Sequence, residues 1–182
     1  RVPDKNEIKD KLSLVNYKDI SIDEKATIPK EDVIVSLTRD GYIKRSSTRS
    51  YTSTDMVPVL KDNDYLICLY EASTLDTLLV FTNLGNFLFI PIYTIFDMKF
   101  KDIGKHISNL VTLSEGEEVI ASLKIEDFNA DLDITLASKN GMIKRTKLNE
   151  FKLLRYNKPV NCMKLKDDDL LVSVFISKYN NI

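Results

Sequence analysis

One motif occurs three times in this sequence, and its repetition limits the folds that the chain can adopt. The first copy, VIVSLTRDGYIKR at 33–45, is an apolar β-prone run, an Asp-Gly turn, a second short apolar run and two adjacent cations. DITLASKNGMIKR at 133–145 and TLLVFTNLGNFLF at 77–89 match it when the copies are aligned on their glycines. Asp-Gly and Asn-Gly supply the positive φ angles of a two-residue hairpin turn, and β-branched and aromatic residues suit a pleated sheet. The sequence therefore predicts three β-hairpins related by internal repetition.

An acidic turn and a further apolar run follow each hairpin. The turns are LKDND at 60–64, LSEGEE at 113–118 and LKDDD at 165–169. Such a turn ahead of an apolar run is a typical start of a strand. A further repeated element is a Pro-Val pair, which occurs shortly before two of these turns as Pro58-Val59 and Pro159-Val160. Each repeat therefore contains a hairpin, a connection, an acidic turn and one more strand.

Successive acidic turns lie roughly 50 residues apart, a period that suits a four-stranded blade better than a helical repeat. We expect an all-β, propeller-like array of about three four-stranded blades, with units at 31–73, 74–128 and 129–182. Because closed propellers usually need four or more blades, three units suggest an open or truncated disc. Residues 1–30 are polar and mixed in charge, and we interpret them as a linker with a lead-in strand near 14–22.

Several classes of protein are disfavoured by the rest of the sequence. No apolar run approaches the length of a membrane span, and RVPDKNEIKDK at the start is not a signal peptide. We therefore expect a cytoplasmic protein without membrane contact, and the missing initiator methionine suggests a fragment. Cys68 and Cys162 stand in apolar surroundings and are expected to be buried thiols.

The overall composition does not indicate a nucleic-acid binder, because the chain has 26 Lys and Arg against 27 Asp and Glu. The cations are nevertheless segregated along the chain, in the second strand of the hairpins and in the connections that follow. The second unit departs from this pattern, because Leu88-Phe89 replace the Lys-Arg pair and its cations come later. The candidate positions are Lys44, Arg45, Arg49, Lys99, Lys101, Lys105, Lys144, Arg145, Lys147, Lys152, Arg155 and Lys158.

Two interpretations of these cations stay open on composition alone. If the units stack around an axis, the cations form a basic rim that follows a phosphate backbone and releases its condensed counterions. Alternatively, they form a solvated charged face that binds nothing.

A search for catalytic chemistry finds little material. The chain has one histidine, its two cysteines lack CxxC spacing, and none of its five glycines lies in a phosphate-binding or dinucleotide-binding run. The carboxylates fall in turn clusters that are more typical of strand initiation than of acid–base pairs. We predict no catalytic residues, no metal site and no cofactor.

The motifs together resemble the C-terminal domain of bacterial type IIA topoisomerase A subunits, those of DNA gyrase and topoisomerase IV. The resemblance covers roughly residues 20–174 and includes EDVIVSLTRDGYIKR, the GMIKR copy and FKLLRYNKPVNCMKLKDDDLLVSV. FLFIPIYTIFDMKFKDIGKHISNLV looks like the topoisomerase IV version of the second blade. The Gln-Arg-Arg-Gly-Gly-type box of gyrase is missing from SYTSTDMVPVLKDND, which puts chiral wrapping and negative supercoiling in doubt.

The resemblance implies a β-pinwheel, a disc whose blades exchange a strand with their neighbours. Such a disc binds and bends the transfer segment of double-stranded DNA along a basic perimeter, and it contains no catalytic residues. The cleavage tyrosine lies in the N-terminal region of the A subunit, while ATP is hydrolysed on the partner B subunit. The rest of the A subunit and the B subunit are therefore implied partners. Decatenation and supercoil relaxation are implied activities of the whole enzyme.

Two further interpretations remain. One is the gyrase counterpart of the same domain. The other is a propeller-like protein-interaction module, which would use an apolar or mixed face instead of a basic rim. The distinguishing observation is whether the hairpin cations line one continuous edge.

Overall fold

A computed structural model of the protein describes residues 27–154, 157–166 and 168–178. The lead-in strand predicted near 14–22 lies outside these ranges. Within them, strands and short helices alternate with turns. The strands are β1 (Asp32–Thr38), β2 (Tyr42–Ser47), β3 (Leu66–Ser73), β4 (Thr77–Thr82), β5 (Asn86–Pro91), β6 (Lys105–His106), β7 (Val119–Ile125), β8 (Asp133–Ser138), β9 (Ile143–Lys147), β10 (Val160–Asn161) and β11 (Leu171–Ser177). The helix α1 spans Thr48–Thr52, and 3₁₀ turns span Ile92–Thr94, Ile107–Asn109 and Leu148–Phe151.

The strands form three antiparallel sheets, which confirms the predicted all-β array. Sheet 1 has the order β3-β1-β2-β6, sheet 2 the order β10-β5-β4-β7, and sheet 3 the order β11-β8-β9. Sheet 3 therefore has three strands in the described part of the chain, where four were predicted. Among the described residues, no helix has the length and apolar character needed to cross a membrane.

The three predicted hairpins are present as β1–β2, β4–β5 and β8–β9, in the same register. The turn differs from the predicted two-residue form. Gly41 donates its N–H to the Thr38 carbonyl at 3.0 Å and adopts φ 84°, while Asp40 does not enter the left-handed region. The hairpin therefore closes with a β-turn followed by a left-handed glycine, a common three-residue connection.

The acidic turns stabilise the hairpin turns of their own units. Asp64 Oδ1 accepts the Asp40 N–H at 3.1 Å, and Asp169 Oδ1 accepts the Asn140 N–H at 2.9 Å. In the second unit Glu117 Oε1 accepts hydrogen bonds from the Thr82 hydroxyl at 2.7 Å and the Asn86 amide at 2.8 Å. These three carboxylates are thus committed to the fold.

Two apolar clusters hold the three sheets together. The first joins sheet 1, through Val35 and Leu37, to Val80 and other residues of sheet 2. The second joins the opposite face of sheet 2 to Ile134 and other residues of sheet 3. Because sheet 2 is covered on both faces, β4 is buried along its whole length, which explains its uninterrupted apolar sequence.

Neighbouring units exchange a strand. The two-residue β6, in the second unit, pairs with β2 of the first, and Ile107 donates its N–H to the Gly41 carbonyl at 2.8 Å. Likewise β10, in the third unit, pairs with β5 of the second, and Cys162 donates its N–H to the Gly85 carbonyl at 2.9 Å. The outer edge of sheets 1 and 2 is therefore completed by the connection of the following unit.

Both cysteines are free and buried, as predicted. Burial raises the pKa of the Cys68 thiol to about 11 and that of the Cys162 thiol to about 12. Neither thiol is therefore ionised near neutral pH, and both act as small apolar groups.

Candidate nucleic-acid interface

The connection of the second unit brings its cations to the outer edge of sheet 1. Residues 96–106 run beside β2: Arg45 donates its N–H to the Phe96 carbonyl at 3.0 Å and accepts the Met98 N–H at 2.9 Å. The segment ends in β6, which pairs with β2. Lys99, Lys101 and Lys105 are exposed along this path. The three lysines of the second unit's connection, which are distant from the first hairpin in sequence, thus lie next to β2 in the fold.

Helix α1 adds a further cation at the same place. Its N-cap, Ser47, accepts the Ser50 N–H at 3.2 Å, and the exposed Arg49 lies within this single turn. Ser50 Oγ in turn accepts the Phe100 N–H at 2.9 Å, and the Tyr51 ring meets the Phe100 ring edge-on at 4.8 Å. The helix therefore packs on the segment that carries the second unit's lysines.

Five of the predicted cations lie together at this edge, and we call them the first rim. All its members lie on the outer edge of sheet 1 and are exposed, except for a half-buried arginine of β2. The first rim consists of Arg45, Arg49, Lys99, Lys101 and Lys105.

Lys44 does not belong to the first rim, and its prediction as a DNA contact needs correction. Its side chain is only 2% exposed. The ammonium donates to the carbonyls of Phe100, at 2.5 Å, and Asp102, and lies 4.8 Å from the Phe100 ring centre. Burial lowers the pKa of Lys44, and the nearby Asp102 carboxylate only partly offsets this. Lys44 fastens the connection to β2 and does not face a phosphate from solvent.

The third hairpin uses its cations differently. Lys144 is exposed but donates from Nζ to the Cys162 carbonyl at 2.7 Å. Arg145 Nε lies 2.5 Å from Asp133 Oδ2, and Lys147 Nζ lies 3.2 Å from Asp131 Oδ1. Burial alone would raise the pKa of Asp133, but hydrogen bonds from Arg145 and Lys147 outweigh it and hold that pKa below its usual range. Arg145 and Lys147 are thus partly neutralised within their own unit, while Lys144 is bonded to a backbone carbonyl.

The connection of the third unit lies at the edge of sheet 2 in the same way. Phe151 anchors it there, with its ring 5.0 Å from the ring of Phe87. Lys152 and Lys158 are exposed on this connection, and Arg155 lies outside the described residues. In the second hairpin Leu88 and Phe89 replace the Lys-Arg pair, and they are 0% and 6% exposed because they pack between sheets. The exposed cations at this edge therefore come from the connection of the third unit.

Sequence reasoning missed Lys61, since it stands in an acidic turn. Its ammonium donates to the Tyr42 hydroxyl and lies 4.1 Å from that ring's centre. The Tyr42 ring also meets His106 of β6 at 5.6 Å, so Lys61 lies beside the first rim. Only a fold that pairs β6 with β2 reveals this neighbourhood.

The described residues offer no comparable site for other chemistry. Among them, no three His, Cys, Asp or Glu side chains converge as metal ligands do. An open cleft of about 730 Å³ has a lining of mixed charge that includes Glu71, Lys124 and Glu126. Lys124 Nζ is already bonded to the Glu126 carboxylate at 2.7 Å and the Glu71 carbonyl at 3.1 Å. One lysine of the cleft is thus already bonded, and the lining carries both signs of charge.

Comparisons with known proteins give the family. The sequence model of the DNA gyrase C-terminal domain, a β-propeller, matches residues 32–54, 76–126 and 133–178. The DNA topoisomerase 4 A subunit of Staphylococcus epidermidis (strain ATCC 12228 / FDA PCI 1200) is 44% identical over 177 residues. That match covers 93% of this chain, which spans 22% of the relative's length. The Staphylococcus aureus (strain MRSA252) protein of the same name matches over the same shares at the same identity.

Solved structures agree. The crystal structure of the C-terminal domain of DNA topoisomerase IV superposes with a TM-score of 0.79 and 40% identity, over 83% of this chain and 47% of that one. The C-terminal domain of E. coli ParC shares the fold at a TM-score of 0.65 and 16% identity, over 80% and 56% of the two chains. The resemblance predicted from the hairpin motif is confirmed: this chain belongs to the DNA gyrase C-terminal domain family of β-propellers.

Proposed function

We propose that this chain is a non-catalytic domain of a type IIA topoisomerase A subunit, of the topoisomerase IV kind, that binds and bends double-stranded DNA along its basic edge. The observation that carries the proposal is the first rim, where cations from two units meet at one sheet edge. Its lysines at 99, 101 and 105 and its arginine at 49 are exposed. Exposed cations in a row neutralise successive phosphates and release their counterions.

The distribution of carboxylates supports the proposal. Asp64, Glu117 and Asp169 are hydrogen-bonded at the hairpin turns, and the five cations of the first rim outnumber Asp97 and Asp102, the two acids of the segment 96–106. A basic edge can therefore attract DNA although the chain carries a formal charge of −1.

The hairpin cations alone do not form the continuous edge that would distinguish a DNA binder. Lys44 is buried, and Arg145 is paired with Asp133. The connections supply the exposed cations instead, on sheet 1 and again, with Lys152 and Lys158, on sheet 2. We therefore propose the two connections as the DNA-contacting elements, and Lys44 is left out of the interface.

In the whole enzyme this domain would hold the transfer segment near the DNA gate, in the cytoplasm and on the chromosome. Cleavage by the tyrosine of the A subunit, like ATP hydrolysis by the B subunit, would then act on DNA that is already oriented. Bending the duplex costs a few kcal/mol, which contacts along a curved edge offset. Decatenation and relaxation would depend on the rim through substrate positioning and not through chemistry.

The test is fluorescence anisotropy with labelled duplexes of about 40 base pairs and unrelated sequences, from about 50 to 300 mM salt. We expect affinities that are equal between sequences and fall steeply with salt. In the variant Arg49→Glu with Lys101→Glu, affinity at the lowest salt should fall by more than about tenfold. The matched control Lys139→Glu changes an exposed cation of the third hairpin turn, which belongs to neither connection, and should have a much smaller effect. An unchanged affinity in the rim variant would overturn the proposal.

A further inference from the structure

Lys44 brings a charge into the interior of the protein at the edge of sheet 1 that carries the first rim. Its side chain is 2% exposed. Burying an ammonium group costs free energy unless its N–H donors find acceptors. The acceptors are the carbonyl oxygen of Phe100, at 2.5 Å from Nζ, and that of Asp102. The buried ammonium is thus bonded to the backbone of the connection that supplies the exposed lysines.

Residues 99–102 form a tight turn, which we call the lysine turn. A hydrogen bond of 3.0 Å from its last N–H to its first carbonyl closes it, and Lys44 bonds the carbonyls of its second and last residues. The connection pairs with β2 at Asp97, before the turn, and at 105–106, after it. Between these two points, the side chain of Lys44 holds the lysine turn against the sheet.

Phe100, the second residue of the lysine turn, is fixed from two sides. Ser50 Oγ of α1 accepts its N–H at 2.9 Å, and the Tyr51 ring meets its ring edge-on at 4.8 Å. From the other side, the Lys44 ammonium lies 4.8 Å from the centre of the same ring. Phe100 is 0% exposed as a result. The lysine turn therefore has a defined orientation relative to both β2 and α1.

This orientation decides where three cations of the first rim stand. Lys99 and Lys101 flank Phe100 in the sequence, and both are exposed while Phe100 is buried. Arg49, also exposed, precedes Ser50, which bonds the Phe100 N–H. The two lysines and the arginine are thus immediate neighbours of one fixed contact between α1 and the lysine turn.

We propose that Lys44 is a positioning residue for DNA binding, which holds Lys99 and Lys101 beside Arg49 without touching a phosphate itself. This role rests on the proposed DNA binding by the first rim. A turn that is fixed before binding loses less conformational freedom when its lysines meet phosphates, so the affinity is higher. Without the ammonium, the two buried carbonyls lack their donor, and the turn gains free energy by moving toward water.

The first test is Lys44→Met, which keeps the apolar stem of the side chain and removes the ammonium. In the anisotropy titration at about 100 mM salt, we expect this variant to bind the duplex about three- to tenfold more weakly than the parent chain. Circular dichroism at the temperature of the titration shows whether the variant is folded. A folded variant that keeps the parent affinity would overturn the positioning role.

Ser50→Ala loosens the lysine turn from the side of α1 without changing any charge. It should weaken binding by about two- to fivefold, and it carries the test if Lys44→Met does not fold. The matched control is Ser53→Ala in the same helix, where the hydroxyl bonds the Ser50 carbonyl at 3.0 Å and not the connection. The control should keep the parent affinity. An unchanged affinity in Ser50→Ala, or an equal loss in both variants, contradicts a role for the turn.

A double-mutant cycle separates positioning from a general loss of folded protein. In a chain that already carries Lys99→Ala with Lys101→Ala, adding Lys44→Met should weaken binding by less than about twofold, because the groups that Lys44 positions are gone. A folding defect would instead weaken binding by the same factor in both backgrounds, and that result overturns the inference. If Lys99→Ala with Lys101→Ala itself leaves the affinity unchanged, the proposed function fails together with the inference. If that variant binds weakly while Lys44→Met and Ser50→Ala bind normally, the inference alone fails.

Discussion

The first and third hairpins carry the same Ile-Lys-Arg sequence, but its first two residues are buried in the first hairpin and exposed in the third. In the first, Ile43 and Lys44 are 0% and 2% exposed. In the third, Ile143 is 75% exposed and Lys144 is exposed as well. The local sequence cannot cause this difference, because it is shared. The cause is the connection of the following unit, which covers β2 but has no counterpart on β9 among the described residues.

The buried and the exposed lysine should differ most in what they contribute to stability. Lys44→Ala should lower the free energy of unfolding by about 2–3 kcal/mol, since it leaves the buried carbonyls of Phe100 and Asp102 without their donor. Lys144→Ala removes a partly solvated hydrogen bond to the Cys162 carbonyl and should cost about 1 kcal/mol or less. Urea denaturation measures both. Equal losses would show that the motif, and not the covering connection, decides the role of the lysine.

A second comparison uses the turn glycines, which share a left-handed backbone with φ 75° at Gly85 and 86° at Gly141. Alanine at either position costs about 1–2 kcal/mol for that conformation alone. Gly85→Ala also drives its Cβ into the Met163 carbonyl, whereas Gly141→Ala meets no described atom within 4 Å. Gly85→Ala should therefore be the more destabilising by at least about 1 kcal/mol, measured by thermal unfolding. The reverse order would contradict the described covering of the second hairpin.

The smallest expected effect concerns the acidic turns, which all three units share whether or not their edge is covered. Burial raises the pKa of Glu117, but hydrogen bonds from Ser114, Asn86 and Thr82 outweigh it and lower that pKa below its ordinary value of 4.5. The ionised carboxylate therefore contributes stability that is complete above pH 4.5 and is lost as pH falls through the lowered folded-state pKa.

Glu117→Gln tests this contribution. The variant should be less stable by about 1 kcal/mol near neutral pH and should converge with the parent chain as the solution is acidified. Urea denaturation from about pH 7 to pH 3 gives the difference. A gap between the two proteins that stays constant with pH would show that the carboxylate acts through packing instead of charge.

Local chemistry made part of this fold predictable. The turn glycines, the alternating strands and the Asp and Glu turns are set by neighbours in sequence, so the hairpins and their repetition could be predicted. The two-residue strands β6 and β10 could not, because Lys105–His106 and Val160–Asn161 are too short to show a pattern and pair with strands of another unit. The burial of Lys44 was missed for the same reason, since its partners lie more than fifty residues away.

The positions of the exposed cations could not be predicted from the sequence either. The second unit departs from the Lys-Arg pattern in sequence, yet in the fold its connection supplies most of the first rim. Leu88 is apolar because it packs between sheets, and the covering connection of the third unit carries Lys152 and Lys158 to that edge. A rim built from one unit's hairpin and the next unit's connection is recognised only once the strand exchange is known.

We propose that connection cations on the edge of sheet 1, and not the hairpin cations of sheet 3, contact DNA. The most direct test compares the slope of the logarithm of the binding constant against the logarithm of salt concentration for two double variants. Arg49→Ala with Lys101→Ala should reduce the magnitude of this slope by about 2, since two phosphate contacts are lost. Lys144→Ala with Lys147→Ala should change it by less than about 1, because these ammonium groups already have partners within the chain. An unchanged slope in the first variant, or a larger change in the second, would show that the connection cations of sheet 1 are not the DNA contacts.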